Sequence, residues 1–322
     1  MTRLSAVDAL RGLALVSMFA ANLAGPCLAP PHPWWLRIFG SFAAPAFVFL
    51  AGMMTTLGKA SLGRVLQRSA LLLVLAVVID VVCWGIDPFQ TFDVLYLLCL
   101  ALPVAHQCAR LPRAWHGLLA LAVLSTTPWL RDRLGYGPLL PDHLAYPWPA
   151  WRRLLVDGWF PIFPWLGVAL VGSLAGRFDL FGSRMRPWLA MLGGGCVALG
   201  AVGWFLEPPA LVTRSGYSEL FYPPSPQYLA IALGAVVLAL TGFDALSRRY
   251  SLGWLALLGR WSLLLYCAHV ALIARVLDEL FRGQALPAFL VIYAGMTGAL
   301  WLLAWAAERF RATRPKKPIR SA

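Results

Sequence analysis

The 322 residues are 60% hydrophobic and only 13% charged, whereas soluble domains are roughly 45–50% apolar. The excess forms continuous blocks long enough to cross lipid as helices, which excludes a soluble globular domain and disfavours a β-barrel built from short alternating segments. A net charge of +13 suggests nucleic acid in a soluble protein. Here the basic residues lie between the blocks and in a terminal tail, which indicates a charged membrane fringe and no nucleic-acid partner.

Ten apolar blocks predict an all-α polytopic membrane protein with about ten transmembrane helices. Basic residues concentrate on one side of the predicted bundle, which places the N- and C-termini in the cytoplasm. We expect residues 1–308 to form one transmembrane domain and residues 309–322 to form a basic cytoplasmic tail. The blocks lie near 7–27, 38–57, 66–86, 92–108, 115–130, 160–176, 188–206, 227–247, 255–276 and 287–307.

The first block carries polar residues at helical spacing. Asp8 and Arg11 are three residues apart and can pair, and Asn22 follows Arg11 by eleven residues, three helical turns, on the same face as Met18. Ionisable residues in a membrane segment indicate function by default, so this stripe predicts a helix that lines a polar cavity. The structural alternative is an interfacial ion pair plus one asparagine that bonds a neighbouring helix.

His32 follows this block in a proline- and tryptophan-rich stretch at the predicted outer surface. An imidazole exchanges protons near neutral pH and therefore suits a general base. Asp93 and Asp80 lie near the outer ends of two helices. Asp93 is expected to cap a helix start, and either carboxylate is a candidate to orient the His32 ring.

The ninth block places Ser262, Tyr266 and His269 on one helical face, with Arg260 at its inner end. Inner arginines, Arg11 and Arg260 among them, suit an anionic ligand, although positive-inside bias alone also places arginines there. The alternative for His269 is a buried histidine that bonds a neighbour. No cysteine or histidine spacing indicates a metal site, and no nucleotide or serine-hydrolase motif occurs.

Several segments, in order, resemble the catalytic domain of heparan-α-glucosaminide N-acetyltransferase and its bacterial relatives. They are SAVDALRGLALVSMFAANLAG, HPWW with APAFVFLAG, FDVLYLLCLALPVA, WFPIFPWLGVALVGSLAGR, FYPPSPQYL and LLGRWSLLLYCAHVALI. The resemblance implies that His32 matches the catalytic histidine and Asn22 an active-site asparagine beside it. Where relatives often carry an acidic residue between the histidine and Pro45, this chain has Ser41 or its neighbours.

The resemblance also implies a transmembrane acyltransferase. Acetyl-CoA, or a related acyl-CoA, is the expected cytoplasmic donor, and an amine or hydroxyl of an extracytoplasmic sugar or glycan is the expected acceptor. Membrane lipid surrounds the protein, a bacterial inner membrane is its expected location, and a homodimer is left open. Asp8, Arg11, Arg260, Ser262, Tyr266, His269 and Asp93 are the further substrate-binding candidates.

Two other classes of function remain open. A transporter or flippase would use the same polar pathway without acyl chemistry and would accumulate an unmodified solute. A membrane partner or sensor subunit would retain its function after loss of both Asn22 and His32.

Overall fold

The described part of the chain is mainly helical. The computed structural model describes residues 5–58, 60–134, 149–182, 184–209, 211, 220–222 and 224–313. No strand occurs in these ranges, and the isolated pairing of Leu28 with Gln284 is their one β-bridge. The all-α prediction is therefore confirmed.

Fourteen α-helices follow one another in these ranges, and three of them continue as π-helix. The π-helical segments are Ile79–Trp84 after α4, Arg153–Asp157 after α7 and Ile273–Leu277 after α12. The α-helices are α1 Ser5–Cys27, α2 Trp34–Ser41, α3 Ala43–Leu57, α4 Leu62–Val78, α5 Val94–Cys108, α6 Arg113–Leu134, α7 Ala150–Arg152, α8 Ile162–Ala175, α9 Met185–Leu206, α10 Pro226–Ser247, α11 Gly253–Arg260, α12 Ser262–Leu272, α13 Asp278–Leu280 and α14 Leu286–Thr313.

Six to eight of these elements are long and apolar enough to cross a membrane. Six helical stretches are long and apolar enough by themselves, and two bent helix pairs are as well if each pair forms one span. Each of the ten predicted blocks is largely helical. However, α5, with 15 residues, is too short to count as a membrane span, and α6 is not apolar enough to count as one. The count of ten and the orientation of the termini remain predictions.

Helix α1 is the central helix of the described bundle. Of the most apolar 18-residue stretch of each helix, 78% is buried inside the protein for α1, 17% for α14 and 11% for α9. It contacts α2, α3, α10, α11, α12 and α14. Polar residues on α1 therefore face protein or an internal cavity instead of lipid.

Two glycines bring α1 and α11 into backbone contact. A Cβ added at Gly259 would lie 1.8 Å from the carbonyl oxygen of Asp8, and one added at Gly12 would lie 2.0 Å from that of Leu255. Only a residue without a side chain permits this approach, as at small-residue helix interfaces in membranes. The contact holds the start of α1, with Asp8 and Arg11, against α11.

Candidate functional site

A cavity of about 1280 Å³ lies between α1, α3, α5 and α12. Typical ligand pockets measure roughly 300–1,000 Å³, so this one has room for a large ligand or for two ligands side by side. Arg11 and Ser262 line one end, and His32, Asp278 and Arg282 line the other. The cavity is therefore elongated along α1.

Three of the four residues of the polar stripe predicted on α1 face this cavity, whereas Asp8 is buried and does not line it. Arg11, Met18 and Asn22 all belong to its wall, and Arg11 lies 3.5 Å from the buried carboxylate of Asp8. Eleven residues at about 1.5 Å per residue separate Arg11 from Asn22 by about 16 Å along the helix. One helix thus carries polar groups from one end of the cavity toward the other.

Asn22 is held by His269, and their hydrogen bonds assign a tautomer. The Nδ1 of His269 lies 3.1 Å from the carbonyl oxygen of Leu265. Because a carbonyl oxygen only accepts, Nδ1 donates, and the Nε2 of the neutral ring accepts from the amide nitrogen of Asn22 at 2.9 Å. His269 is fully buried, so its contact orients the Asn22 amide at the cavity wall.

His32 lies at the far end of the cavity and is half-buried. Its Nε2 donates to the carbonyl oxygen of Leu28 at 3.0 Å, which leaves the lone pair of a neutral ring on Nδ1. The loop is tied to residue Gln284 by two backbone bonds, Ala29 N–H to Gln284 O at 2.9 Å and Gln284 N–H to Cys27 O at 2.7 Å. The ring is therefore held by backbone contacts.

Among the described hydrogen bonds, neither Asp80 nor Asp93 contacts His32, so the expectation that one of them orients its ring is wrong. The carboxylate of Asp80 accepts from Tyr96 at 2.6 Å and from Thr91 at 3.4 Å. Asp93 is the N-cap residue of α5, as predicted, and accepts from the Val94 N–H at 2.6 Å. Both carboxylates are engaged by neighbours in the fold.

Asp93 also joins α5 to α12 in the cavity wall. The hydroxyl of Tyr266 donates to its second carboxylate oxygen, and Tyr266, Asp93 and Ser262 all line the cavity. The ring of Tyr266 packs against His269 at 5.4 Å. The α12 face predicted from Ser262, Tyr266 and His269 thus meets both α5 and α1.

Arg260 does not share that face. The chain bends by 78° between α11 and α12, so the continuous helix predicted for 255–276 is wrong at this point. Trp261 has non-helical backbone angles at the break. Arg260 consequently lies 3.3 Å from Glu308 and lines a separate pocket beside α14.

Sequence reasoning did not single out several residues of the far end. Arg37, Asp278 and Arg282 line the cavity near His32, and Arg282 and Asp278 form an ion pair at 2.9 Å. Phe160 and the pair Phe221 and Tyr222 also belong to the wall. Long-range packing brings them together, and only Phe160, in WFPIFPWLGVALVGSLAGR, and Phe221 and Tyr222, in FYPPSPQYL, lay in segments that carried a local signal. Among the described residues, no group of three or more His, Cys, Asp or Glu suits a metal ion.

A bundle of long apolar helices around a largely apolar cavity with a few polar side chains in its wall defines a polytopic integral membrane protein with a binding site between its helices. The family model described as heparan-alpha-glucosaminide N-acetyltransferase, catalytic, matches residues 3–190, more than half of the chain. The chain belongs to this family and is a membrane protein of the acetyltransferase class. No curated protein matches it.

The matched range includes Asn22, His32 and Asp93 but ends before α10. Tyr266 and His269 therefore lie outside it. The hydrogen bonds of Tyr266 to Asp93 and of His269 to Asn22 connect α12 to the matched part.

Proposed function

We propose that this protein transfers an acetyl or related acyl group across a membrane. The donor is a cytoplasmic acyl-CoA, and the acceptor is an amine or hydroxyl of an extracytoplasmic sugar or glycan, in a bacterial cytoplasmic membrane. The proposal rests on one observation above all. A single cavity is lined by Arg11, Asn22 and His32, the residues that the sequence pattern and the family resemblance bring forward.

The donor occupies the end of the cavity at Arg11. Its anionic portion lies toward the cytoplasmic end of α1, and Arg11 and Ser262 offer a cation and a hydroxyl there. Its thioester lies at Asn22. The amide nitrogen of Asn22 donates one N–H to His269 and has a second N–H for the thioester carbonyl. This second N–H stabilises the oxyanion that develops during transfer. One such donor is worth about 3 kcal/mol.

His32 acts as the general base on the acceptor. Its Nε2–H is committed to Leu28 O, so Nδ1 takes the proton from the acceptor N–H or O–H as that atom attacks the thioester carbon. A C–N or C–O bond forms and the C–S bond breaks. The thiolate leaves with the electron pair and takes a proton, which yields free CoA thiol. Transfer through a transient acyl-histidine satisfies the same balance and remains an alternative.

The test places acetyl-CoA inside sealed vesicles and a glucosamine-type acceptor outside. We expect acetylated acceptor outside for the wild type and a loss of about 10²-fold or more for His32→Ala, because general acid–base catalysis contributes about 10²–10⁴-fold. His106→Ala is the matched control, since His106 lies at the opposite end of α5 from Asp93 and does not line the cavity.

Equal transfer by the wild type and His32→Ala would refute this assignment. Accumulation of unmodified acceptor inside vesicles that lack acyl-CoA would instead favour a transporter.

A further inference from the structure

A second pocket, of about 380 Å³, lies outside the cavity, between α11 and the C-terminal part of α14. It lies where the apolar stretch of α14 gives way to Glu308, Arg309 and Arg311. This change marks the boundary between hydrocarbon and headgroups. Its aromatic and charged lining consists of Trp254, Trp301, Trp305, Arg260, Glu308 and Arg309.

The charges of the pocket do not balance. Arg260 lies 3.3 Å from one carboxylate oxygen of Glu308, and the indole N–H of Trp261 donates to the other at 2.9 Å. The Arg309 guanidinium stacks over the Trp305 ring at 4.1 Å. Two guanidinium groups thus face one carboxylate among the described residues, which leaves an excess of positive charge.

Arg260 also has an unused donor. Its Nε–H is buried and has no hydrogen-bond partner in the described part of the chain. The protein closes this N–H off from the pocket, but the Arg260 side chain is 24% exposed. An anionic oxygen suits the open part of a guanidinium best.

The surrounding aromatic rings favour a lipid over a free anion. Trp254 and Trp305 are 58% and 40% exposed, at the level where tryptophan side chains contact headgroups and upper acyl chains. Basic pockets between membrane helices are known to bind acidic headgroups. We infer that this pocket binds the phosphodiester headgroup of an anionic phospholipid, with Arg260 and Arg309 on its phosphate oxygens and the tryptophan rings against its glycerol and acyl chains.

The test uses the full-length protein, stripped of lipid in an uncharged detergent. Phosphatidylglycerol is expected to raise its apparent Tm by about 3–6 °C, and phosphatidylcholine by clearly less. Arg309→Gln and the double variant Arg260→Gln with Glu308→Gln should lose most of this difference. The double variant removes the Glu308 carboxylate together with its partner Arg260, so that no carboxylate loses its cation. Arg249→Gln is the charge-matched control, because Arg249 is exposed and lies outside the pocket.

Native mass spectrometry provides a second readout that does not depend on thermal stability. The wild type and Arg249→Gln should retain bound phosphatidylglycerol, whereas the pocket variants should retain less. An equal Tm shift with phosphatidylcholine, or with inorganic phosphate alone, would overturn the assignment to an anionic lipid. So would an unchanged lipid response in both pocket variants.

Discussion

At the scale of single residues, the pairing of Asn22 with His269 organises the proposed site. Burial excludes water from His269, and the Leu265 carbonyl holds its proton on Nδ1. The ring can therefore only accept from Asn22, which determines the direction of the amide at the cavity wall. His269 is thus a positioning residue in the proposed mechanism, and Asn22 is the group that touches the thioester.

This arrangement predicts a non-additive pair. Asn22→Ala should lower kcat by about 10²-fold through loss of an oxyanion donor, and His269→Ala should lower it less. If His269 acts only through Asn22, the double variant will be no slower than Asn22→Ala, whereas independent groups would give multiplied losses. Steady-state kcat and KM for acyl-CoA, measured on all four proteins, separate these outcomes. A change confined to the KM would contradict the positioning role.

At the scale of elements, the contact between α1 and α11 positions the start of the polar stripe. Gly12 and Gly259 bring the two backbones together, and Asp8 lies directly at the contact. The bend after α11 then directs α12 along the cavity, where it meets α1 and α5. Helix packing and the chain break, rather than the helical repeat alone, decide which polar residues share a space.

Gly259→Ala tests the close contact. The added Cβ would lie 1.8 Å from the Asp8 carbonyl oxygen, so the helices must separate, at a cost of about 1–3 kcal/mol. The expected result is a lower apparent Tm in detergent. Gly298→Ala is the control, because a Cβ at Gly298 meets nothing within 4 Å and alanine favours a helix by up to about 1 kcal/mol. A Tm for Gly259→Ala at or above that of the wild type would contradict tight packing.

At the scale of the whole molecule, one continuous cavity connects the Arg11 end with the His32 end. Small residues on α3, Ala43, Ala44 and Ala51, form part of its wall and leave the space open. The proposed function requires this passage, because donor and acceptor must reach Asn22 and His32 from opposite sides.

Ala51→Phe tests the passage without removing any proposed reacting group. A phenyl ring added to the wall should narrow the cavity and lower kcat/KM for acyl-CoA by about 10-fold or more, since each 1.4 kcal/mol of lost binding equals a factor of ten. The assay is transfer at limiting acyl-CoA. Ala201→Phe on the exposed face of α9 is the matched control. Equal kcat/KM in the two variants would argue that the donor does not use this part of the cavity.

The local pattern of the sequence was sufficient for the helical class, the polar stripe of α1 and the N-cap at Asp93. Each of these depends on the helical repeat or on a helix start, which neighbouring residues determine. The segments around Asn22 and His32 also carried the family resemblance, because they are short and continuous.

Only the tertiary structure decided the partners. Asn22 and His269 are 247 residues apart, and no local repeat encodes a contact over that distance. The 78° bend moved Arg260 away from the face of His269, because a helical repeat extends only as far as the helix continues. The Leu28 carbonyl, not a carboxylate, holds His32, since backbone acceptors become available only once the loop is folded.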